Sequence, residues 1–270
     1  MVCSRGTHTQ LDSRVFKLFS ASNLYLYTYM TTTLCFDFGN TRLKAAVFTN
    51  GEFVNDFILK DDCLDEIKSL INEFHPTKSI LASVINHDLK AESLLCEHTK
   101  FHKVNNNSKL NFSIALSKQD TIGADRLALL AAAAHQFPDK NNLIIGMGSC
   151  ITYNFINQNQ LFLGGSISPG MDMRFKAMHE FTAKLPLLES EWNLPLIGYD
   201  TKTNLQSGVI YGIVNEIEGF IEKYSQKYGN FNPILTGGNT EFFATRLKSR
   251  IFADNYFLFK GLYALSELNN

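Results

Sequence analysis

Residues 34–44, LCFDFGNTRLK, and residues 143–153, LIIGMGSCITY, decide the fold of this chain. Each segment is an apolar run, a short turn with glycine and a second β-rich run, which predicts a strand–turn–strand unit. When the two are superposed, Gly39 falls on Gly148 and Asp37 falls on Gly146. Because helices and further strands follow each unit, we expect an α/β fold of two similar halves with a cleft between them.

Periodic apolar patterns predict the elements that follow each unit. A third strand near residues 53–59 completes a meander in the first half, and a polar NQNQ hairpin leads to LFLGG in the second. Further strands are predicted over residues 79–85 and 233–236, helices over 62–75, 88–98, 123–137, 170–185, 201–228 and 239–251, and a last strand with a closing helix over 255–268.

Composition excludes several classes of protein. The chain has 270 residues, 45% of them hydrophobic and 19% charged, with a formal net charge of -1. A net charge this close to zero does not indicate a basic surface that would bind nucleic acid or an anionic membrane. No apolar stretch approaches the ~20 residues of a membrane-spanning helix. Five scattered cysteines argue against a disulfide framework and favour a cytoplasmic location.

Residues 1–29 differ from the rest of the chain. They combine a few basic residues with a short apolar end but lack a signal-peptide cleavage site. Met30 stands directly before TTTLCFDFGNT, which reads like the start of a domain-opening strand. We therefore expect translation to start naturally at Met30, with residues 1–29 a non-native or disordered extension, 30–140 a first α/β domain and 141–270 a second.

Asp37-Phe38-Gly39-Asn40-Thr41, with Lys44 three residues on, is a first candidate for chemistry. An Asp at a strand end can hold hydrated Mg²⁺, a glycine lets the backbone approach an oxyanion, and the lysine adds positive charge. The same letters also suit an ordinary β-hairpin turn, so both interpretations stay open.

Gly123-Ala124-Asp125-Arg126 at a predicted helix start is a second candidate. The helix N-terminus favours an anionic Asp, and the adjacent Arg can clamp a carboxylate. A helix cap with an incidental ion pair is the alternative. The glycine-rich segments at residues 164–170 and 236–238 could pass close to a ligand or simply pack tightly.

In order along the chain, these segments resemble type III pantothenate kinases, within the actin, hexokinase and heat-shock-ATPase superfamily. The resemblance extends over almost everything from Met30 on and rests on DFGNTRLK, GADR, GSCIT, GGSISPGMDMRFKAMHEFTAKLP, DTKTNLQSG and LTGG. It implies two duplicated actin/ribonuclease-H-like α/β domains flanking a nucleotide cleft. It also implies ATP-dependent phosphorylation of pantothenate, the first step of coenzyme A synthesis, with Mg²⁺, a monovalent cation (K⁺ or NH₄⁺) and a homodimer.

The resemblance assigns roles residue by residue. Asp125 is the general base that takes the proton of the primary hydroxyl, a role that suits phosphoryl transfer. Arg126 holds the substrate carboxylate, and Thr201 reaches pantothenate across the dimer interface. The first ATP-phosphate loop comprises Asp37 (near Mg²⁺), Phe38, Gly39, Asn40, Thr41, Arg42, Leu43 and Lys44; Gly148 and Ser149 form the second, Gly237 and Gly238 flank adenosine, and Leu116, Gly123, Ala124, Asp125, Arg126 and Thr201 line the pantothenate site.

Two positions depart from the family pattern. Leu116 stands where the family usually has a Tyr, which removes a hydroxyl from the substrate pocket. Gly146 stands where the family has the Asp that the resemblance assigns to the monovalent cation. Loss of this anionic ligand weakens cation binding.

These departures leave alternatives beside an active kinase with weakened or altered monovalent-cation dependence. The chain could be a catalytically impaired paralogue, or an accessory or regulatory protein that keeps the kinase fold. It could also phosphorylate another small hydroxylated substrate, since the pocket differs at Leu116.

Overall fold

The structure is a computed structural model that describes residues 31–60, 63–115, 121–191 and 193–270. The strands are β1 (Thr32–Phe38), β2 (Leu43–Thr49), β3 (Glu52–Leu59), β4 (Lys78–Ser83), β5 (Lys100–Lys103), β6 (Ser113–Ile114), β7 (Asn142–Met147), β8 (Cys150–Ile156), β9 (Leu161–Pro169), β10 (Asn232–Thr236) and β11 (Phe252–Ala253). The helices are α1 (Leu64–Phe74), α2 (Leu89–His98), α3 (Ala124–Gln136), α4 (Met171–Glu180), α5 (Thr201–Tyr228), α6 (Thr240–Ala244) and α7 (Phe257–Asn269). The predictions on residues 1–29 and on Leu116 lie outside the described residues.

Two mixed sheets share one topology. The first has the order β3-β2-β1-β4-β5, and the second repeats it as β9-β8-β7-β10-β11, with β6 added beside β9. In both sheets the opening hairpin is antiparallel and the next two pairings are parallel. The predicted α/β fold of two similar halves is therefore confirmed.

The central strands are buried on both faces because each sheet lies between layers of helices. On β1, Leu34 and Phe36 pack toward α1 and α2, whereas Cys35 packs toward α3 and α7. On β7, Leu143 packs toward α5 and Ile144 toward α3. This alternation follows from the two-residue period of a strand, and it places α3 and α7 in an inner layer between the two sheets.

Small residues make this inner layer thin enough for both sheets. The alanine run of α3 is buried, and a Cβ added at Gly261 of α7 would lie 1.8 Å from the carbonyl oxygen of Ala128. The C-terminal helix also reaches the first sheet, where Lys78 Nζ lies 2.9 Å from Glu267 Oε1. The two inner helices thereby connect the two sheets.

Three predicted elements in the second half need correction. The predicted helix 170–185 ends at Glu180, where the Thr182 hydroxyl donates to the carbonyl of Met178. The predicted helix 239–251 ends at Ala244, because the Ser249 amide donates to Glu218 on α5 instead of continuing the helix.

The prediction of a strand at the start of residues 255–268 is wrong. The helix α7 already begins at Phe257, and a two-residue strand, β11, precedes it at Phe252–Ala253. Phe257 and Phe259 are apolar enough for a buried strand, but both pack into the inner layer as helical residues. A short apolar run does not by itself distinguish the two states.

Within the described parts of the chain, no helix has both the length and the apolar character needed to cross a membrane.

Candidate functional site

The two glycine turns face each other at one end of the sheets. In the first turn the Gly39 amide donates to the carbonyl of Arg42 (3.2 Å), and in the second the Gly148 amide donates to that of Cys150 (3.1 Å). Across the gap, Thr41 Oγ1 lies 2.6 Å from Ser149 Oγ. The two segments predicted as phosphate loops thus form a single cradle of backbone amides and hydroxyls.

A carboxylate and a lysine lie side by side under the first turn. Asp37 at the end of β1 pairs with Lys44 on β2 in the antiparallel register, so both side chains point to the same face of the sheet. Burial raises the pKa of Asp37 to about 6, with Lys44 opposing this effect and Asp125 adding to it. The effect of Asp125 on the pKa of Asp37 indicates that the two carboxylates lie near each other.

Asp125 occupies the second position of α3, whose N-cap is Gly123. Burial raises the pKa of Asp125, although the backbone N–H groups of Arg126 and of Asp125 itself, together with the Arg126 charge, oppose this shift. A Cβ added at Gly123 would lie 2.5 Å from Asp125 Oδ1. The absent side chain of Gly123 is therefore what leaves room for the carboxylate.

Arg126 extends from α3 toward the inner face of the second sheet. Its Nε donates to Asn154 Oδ1 at 2.6 Å, and its guanidinium carbon lies 5.8 Å from the centre of the Phe162 ring. Burial lowers the pKa of Arg126, with the charge of Asp125 opposing. No carboxylate of the described residues forms an ion pair with Arg126, so this half-buried cation suits an anionic ligand.

Asn154 is a residue that the sequence patterns did not single out. It is one polar residue in an apolar strand, and its partner Arg126 lies 28 positions earlier. The signal that could have found Asn154 is its position on β8. Asn154 and Thr152 lie two positions apart, so both side chains point to the inner face, beside Ile144 and Gly146 of β7.

The second turn is enclosed by glycines from two later segments. A Cβ at Gly170, the N-cap of α4, would lie 2.4 Å from the carbonyl oxygen of Gly148. Gly237 has a φ of +105°, which favours glycine, and a Cβ there would lie 2.6 Å from the carbonyl oxygen of Met147. Around Gly238 a Cβ would meet nothing within 4 Å. The segments at residues 164–170 and 236–238 thus converge on the second turn.

Thr201 lies elsewhere on the molecule. It starts α5 after Asp200, whose side chain accepts from the Thr203 amide at 2.7 Å in a capping box. Thr201 lines an apolar groove of about 920 Å³ between α4 and α5, together with Met173 and Met178. Residues 123–126 do not line this groove, so a single chain does not bring Thr201 together with the other predicted substrate residues there.

The donor atoms of the cleft suit Mg²⁺. Carboxylate and hydroxyl oxygens are the hard ligands this ion prefers, supplemented by water and substrate phosphates, and Asp37, Thr41 and Ser149 provide them. The described residues contain no group of three or more His, Cys, Asp or Glu side chains placed to hold a metal on their own. Protein ligands alone therefore do not complete a magnesium shell here, and nucleotide phosphates would have to contribute.

The surroundings of Gly146 do not suit a cation that needs a carboxylate. Gly146 pairs with Thr152, and a Cβ at this position would lie 2.8 Å from Thr152 Oγ1 and 3.2 Å from Leu129 Cδ1. Where the first half has the pair Asp37–Lys44, the second half has Gly146–Thr152. A hydroxyl and a leucine methyl replace a charged ligand at this place.

Comparison with known proteins identifies the family of this chain. Residues 33–223 match the type III pantothenate kinase family. A type III pantothenate kinase of Flavobacterium psychrophilum is 41% identical over 87% of this chain and 98% of its own length. For those of Christiangramia forsetii and Bacteroides fragilis the identities are 39% and 38%, over 87% and 88% of this chain and 98% of each relative.

Solved structures share the fold at lower identity. A Campylobacter jejuni protein described as a Baf family transcriptional activator has a TM-score of 0.56 at 21% identity, over 87% of this chain and 97% of its own. A Listeria monocytogenes protein described as an N-acetylmannosamine kinase has a TM-score of 0.50 at 15% identity, over 89% and 100%. These likenesses support the two-sheet α/β fold alone. On the match over residues 33–223 and the 38–41% identity to whole relatives, this chain belongs to the type III pantothenate kinase family.

Proposed function

We propose that this chain transfers the γ-phosphoryl group of ATP to pantothenate, giving 4′-phosphopantothenate in the first step of coenzyme A biosynthesis. The observation that carries the proposal is the pair of half-buried, desolvated carboxylates, Asp37 and Asp125, below two facing glycine turns in a chain of this family. One carboxylate can serve the metal and the other the acceptor hydroxyl. We place this activity in the cytoplasm, where the scattered cysteines would stay reduced.

The nucleotide would lie between the two turns. Amides and hydroxyls of Gly39–Thr41 and of Gly148–Ser149 would bind the phosphate oxygens, and Gly237–Gly238 would leave space for the adenosine. Mg²⁺ held by Asp37 and the phosphates would supply charge neutralisation to the transferring group. Lys44, opposite Asp37, adds positive charge at the same face.

Asp125 would accept the proton of the attacking primary hydroxyl. Its raised pKa makes the ionised carboxylate a stronger base than an exposed Asp. Phosphoryl transfer depends mainly on positioning and charge stabilisation, so one oriented carboxylate suffices. Arg126, which has no ion-pair partner among the described residues, would bind the carboxylate of pantothenate and orient its hydroxyl end toward Asp125.

A homodimer would complete the substrate site. Large apolar side chains stand exposed at the groove between α4 and α5 and in the segment just before α5. Phe181, which lines the groove, is 84% exposed, and Ile197 and Tyr199, which precede Thr201, are 83% and 82% exposed. Large exposed apolar side chains of this kind are typical of a subunit interface. Thr201 lines the same groove, so a second copy docked there would carry its own Thr201 toward the partner's pantothenate.

Monovalent-cation dependence would be weak in this chain. The position that the family resemblance assigns to the cation is Gly146, where Thr152 Oγ1 and Leu129 occupy the space next to the missing side chain. Without an anionic ligand, a buried monovalent cation loses a large part of its stabilisation. A Cβ at Gly146 would meet Thr152 and Leu129 but neither Asp37, Asp125 nor Arg126, so we expect turnover without added K⁺.

The test is ATP-dependent phosphorylation of pantothenate with and without K⁺, for the natural chain and for Gly146→Asp. We expect the natural chain to turn over in both conditions with less than about twofold stimulation by K⁺. Activity confined to Gly146→Asp would instead identify the natural chain as an impaired paralogue. Absence of turnover in both proteins would exclude the kinase function and favour an accessory role.

A further inference from the structure

Asn154 is a fully buried polar residue whose side chain contacts Arg126, the proposed substrate-binding arginine. It lies on β8 between Ile144 of β7 and Gly165 of β9, with 0% of its surface exposed. Its Oδ1 accepts from Arg126 Nε at 2.6 Å. Its Nδ2 donates to Thr152 Oγ1 at 3.2 Å and to the carbonyl of Ile144 at 3.4 Å.

The amide of Asn154 has one orientation in this setting. The carbonyl oxygen of Ile144 can only accept a hydrogen bond, so Nδ2 of Asn154 must face it. The guanidinium N–H of Arg126 can only donate, so Oδ1 of Asn154 must face Arg126. Both ends of the amide are thus used. A buried amide in a strand interior is costly unless it is satisfied in this way, and here the satisfied amide fixes the direction of the arginine.

The neutral charge of the Asn154 side chain matters as much as its geometry. Asn154 holds Arg126 without neutralising it, and the described residues place no carboxylate in an ion pair with Arg126. The guanidinium also lies over the face of Phe162, an apolar support that adds no negative charge beside it. An aspartate at position 154 would hold the same nitrogen but would pair with the charge.

We propose that Asn154 is a positioning residue for the substrate carboxylate: a neutral tether that aims Arg126 and keeps its charge available for pantothenate. This inference rests on the proposed function, in which Arg126 binds that carboxylate. The hydrogen bonds of Asn154 go to Arg126, Thr152 and Ile144 and reach neither nucleotide loop, so we expect its effect on pantothenate alone. The contact between Asn154 and Arg126 therefore predicts that a change at Asn154 weakens the binding of pantothenate but not that of ATP.

The experiment compares Asn154→Leu and Asn154→Asp with the natural chain in full steady-state kinetics. Loss of one hydrogen bond to a charged group corresponds to a roughly ten- to hundredfold change. We expect KM for pantothenate to rise by about this factor in both variants, while KM for ATP stays within about twofold. The leucine removes the tether, and the aspartate keeps it but neutralises the arginine.

Asn142→Leu is the matched control. Asn142 is also a buried asparagine of the second sheet, but its amide donates to the carbonyl of Lys140 (2.9 Å) at the opposite end of β7. It reports the cost of removing a buried amide without touching Arg126. We expect a loss of thermal stability similar to that of Asn154→Leu and an unchanged KM for pantothenate.

A neutral analogue separates positioning from general damage to the site. Pantothenol carries a primary alcohol in place of the carboxylate, so Arg126 gains no ion pair with it. The preference for pantothenate over pantothenol, measured as a ratio of kcat/KM, should fall in both Asn154 variants toward the ratio of Arg126→Gln. The inference would be overturned by an unchanged ratio of kcat/KM for pantothenate to kcat/KM for pantothenol. Equal increases in KM for pantothenate and KM for pantothenol would also overturn it. Lack of pantothenate turnover in the natural chain would instead refute the proposed function.

Discussion

Thr41 Oγ1 lies 2.6 Å from Ser149 Oγ, although the two residues are 108 positions apart in the sequence. The contact joins equivalent turns of the two halves, one after β1 and the other after β7. Each hydroxyl has a single proton, so one group donates across the gap and the other keeps its proton for a further acceptor. A phosphate oxygen between the turns is the acceptor that this arrangement fits.

Removal of either hydroxyl should weaken ATP binding. A neutral hydrogen bond contributes ~1 kcal/mol, so we expect Thr41→Val and Ser149→Ala each to raise KM for ATP by about fivefold or more. Thr41→Ser and Ser149→Thr keep a hydroxyl and are the controls, expected to change KM for ATP by less than about twofold. Equal KM values for Thr41→Val and Thr41→Ser would show that the contact has no part in nucleotide binding.

Gly123→Ala should displace the carboxylate of Asp125, the proposed base, without unfolding the protein. The new methyl group would lie 2.5 Å from Asp125 Oδ1, and this flexible end can move away. We expect kcat to fall by roughly a hundredfold, because misplacement of a catalytic group by about 1 Å costs this much, with a small change in melting temperature.

Gly219→Ala is the control for Gly123→Ala. Gly219 lies within α5, where a Cβ meets nothing within 4 Å. Alanine there should stabilise the helix by about 0.5–1 kcal/mol and leave kcat unchanged. If Gly123→Ala retains full kcat, the carboxylate position is not critical and the proposed role of Asp125 weakens.

Asp37 should destabilise the ligand-free protein at neutral pH. Burial raises its pKa in the folded state to about 6, from an ordinary value of 3.8. Between these two values the folded state binds more protons than the unfolded state, so stability falls as pH rises through this window and levels off above pH 6. Asp37→Asn should therefore melt at a higher temperature than the natural chain at pH 7.

The stability difference between Asp37→Asn and the natural chain should disappear near pH 4, where the natural carboxyl is protonated. The same variant should lose activity, because an amide is a poor Mg²⁺ ligand. Thermal melts at pH 4, 5, 6 and 7 without nucleotide or metal give the comparison. A variant that is less stable at pH 7 would contradict the assignment of Asp37 as a desolvated carboxylate.

Ile197→Asp should disrupt the proposed homodimer. Ile197 is 83% exposed in the isolated chain, and a charge buried at an apolar interface is costly. We expect the natural chain to show twice its chain mass of 30.5 kDa by light scattering, and the variant to show the single mass with greatly reduced activity.

Val54→Asp provides a surface control for the interface. Val54 on β3 is 50% exposed and does not line the α4–α5 groove. This variant should remain dimeric and active. A natural chain that is monomeric and fully active would contradict both the proposed homodimer interface and the proposed role of Thr201.

The duplicated fold could be predicted because its signal is local. Gly39 and Gly148 mark two turns between apolar runs, and the register confirms the correspondence, with Asp37 opposite Lys44 and Gly146 opposite Thr152. The N-terminal end of α3 could likewise be predicted from Gly123 and the alanine run that follows. These features depend on residues within a few positions of each other.

Contacts between distant segments could not be predicted from patterns. Asn154 looks like any polar residue in a strand until the packing of α3 brings Arg126 to it. Gly170 fits against the second turn, and Gly237 against the end of β7, only because α4 and β10 come back to this place. The false strand at Phe257 shows the same limit, since burial in the inner layer decides its state.

The central claim is tested most directly by ³¹P NMR detection of 4′-phosphopantothenate formed from ATP, Mg²⁺ and pantothenate. The natural chain should form the product. Asp125→Asn should reduce kcat at least ~10²–10⁴-fold while still binding ATP with nearly natural affinity in calorimetry. Product formation by Asp125→Asn at a rate near that of the natural chain would contradict the assignment of Asp125 as the base, and absence of product from the natural chain would contradict the kinase function itself.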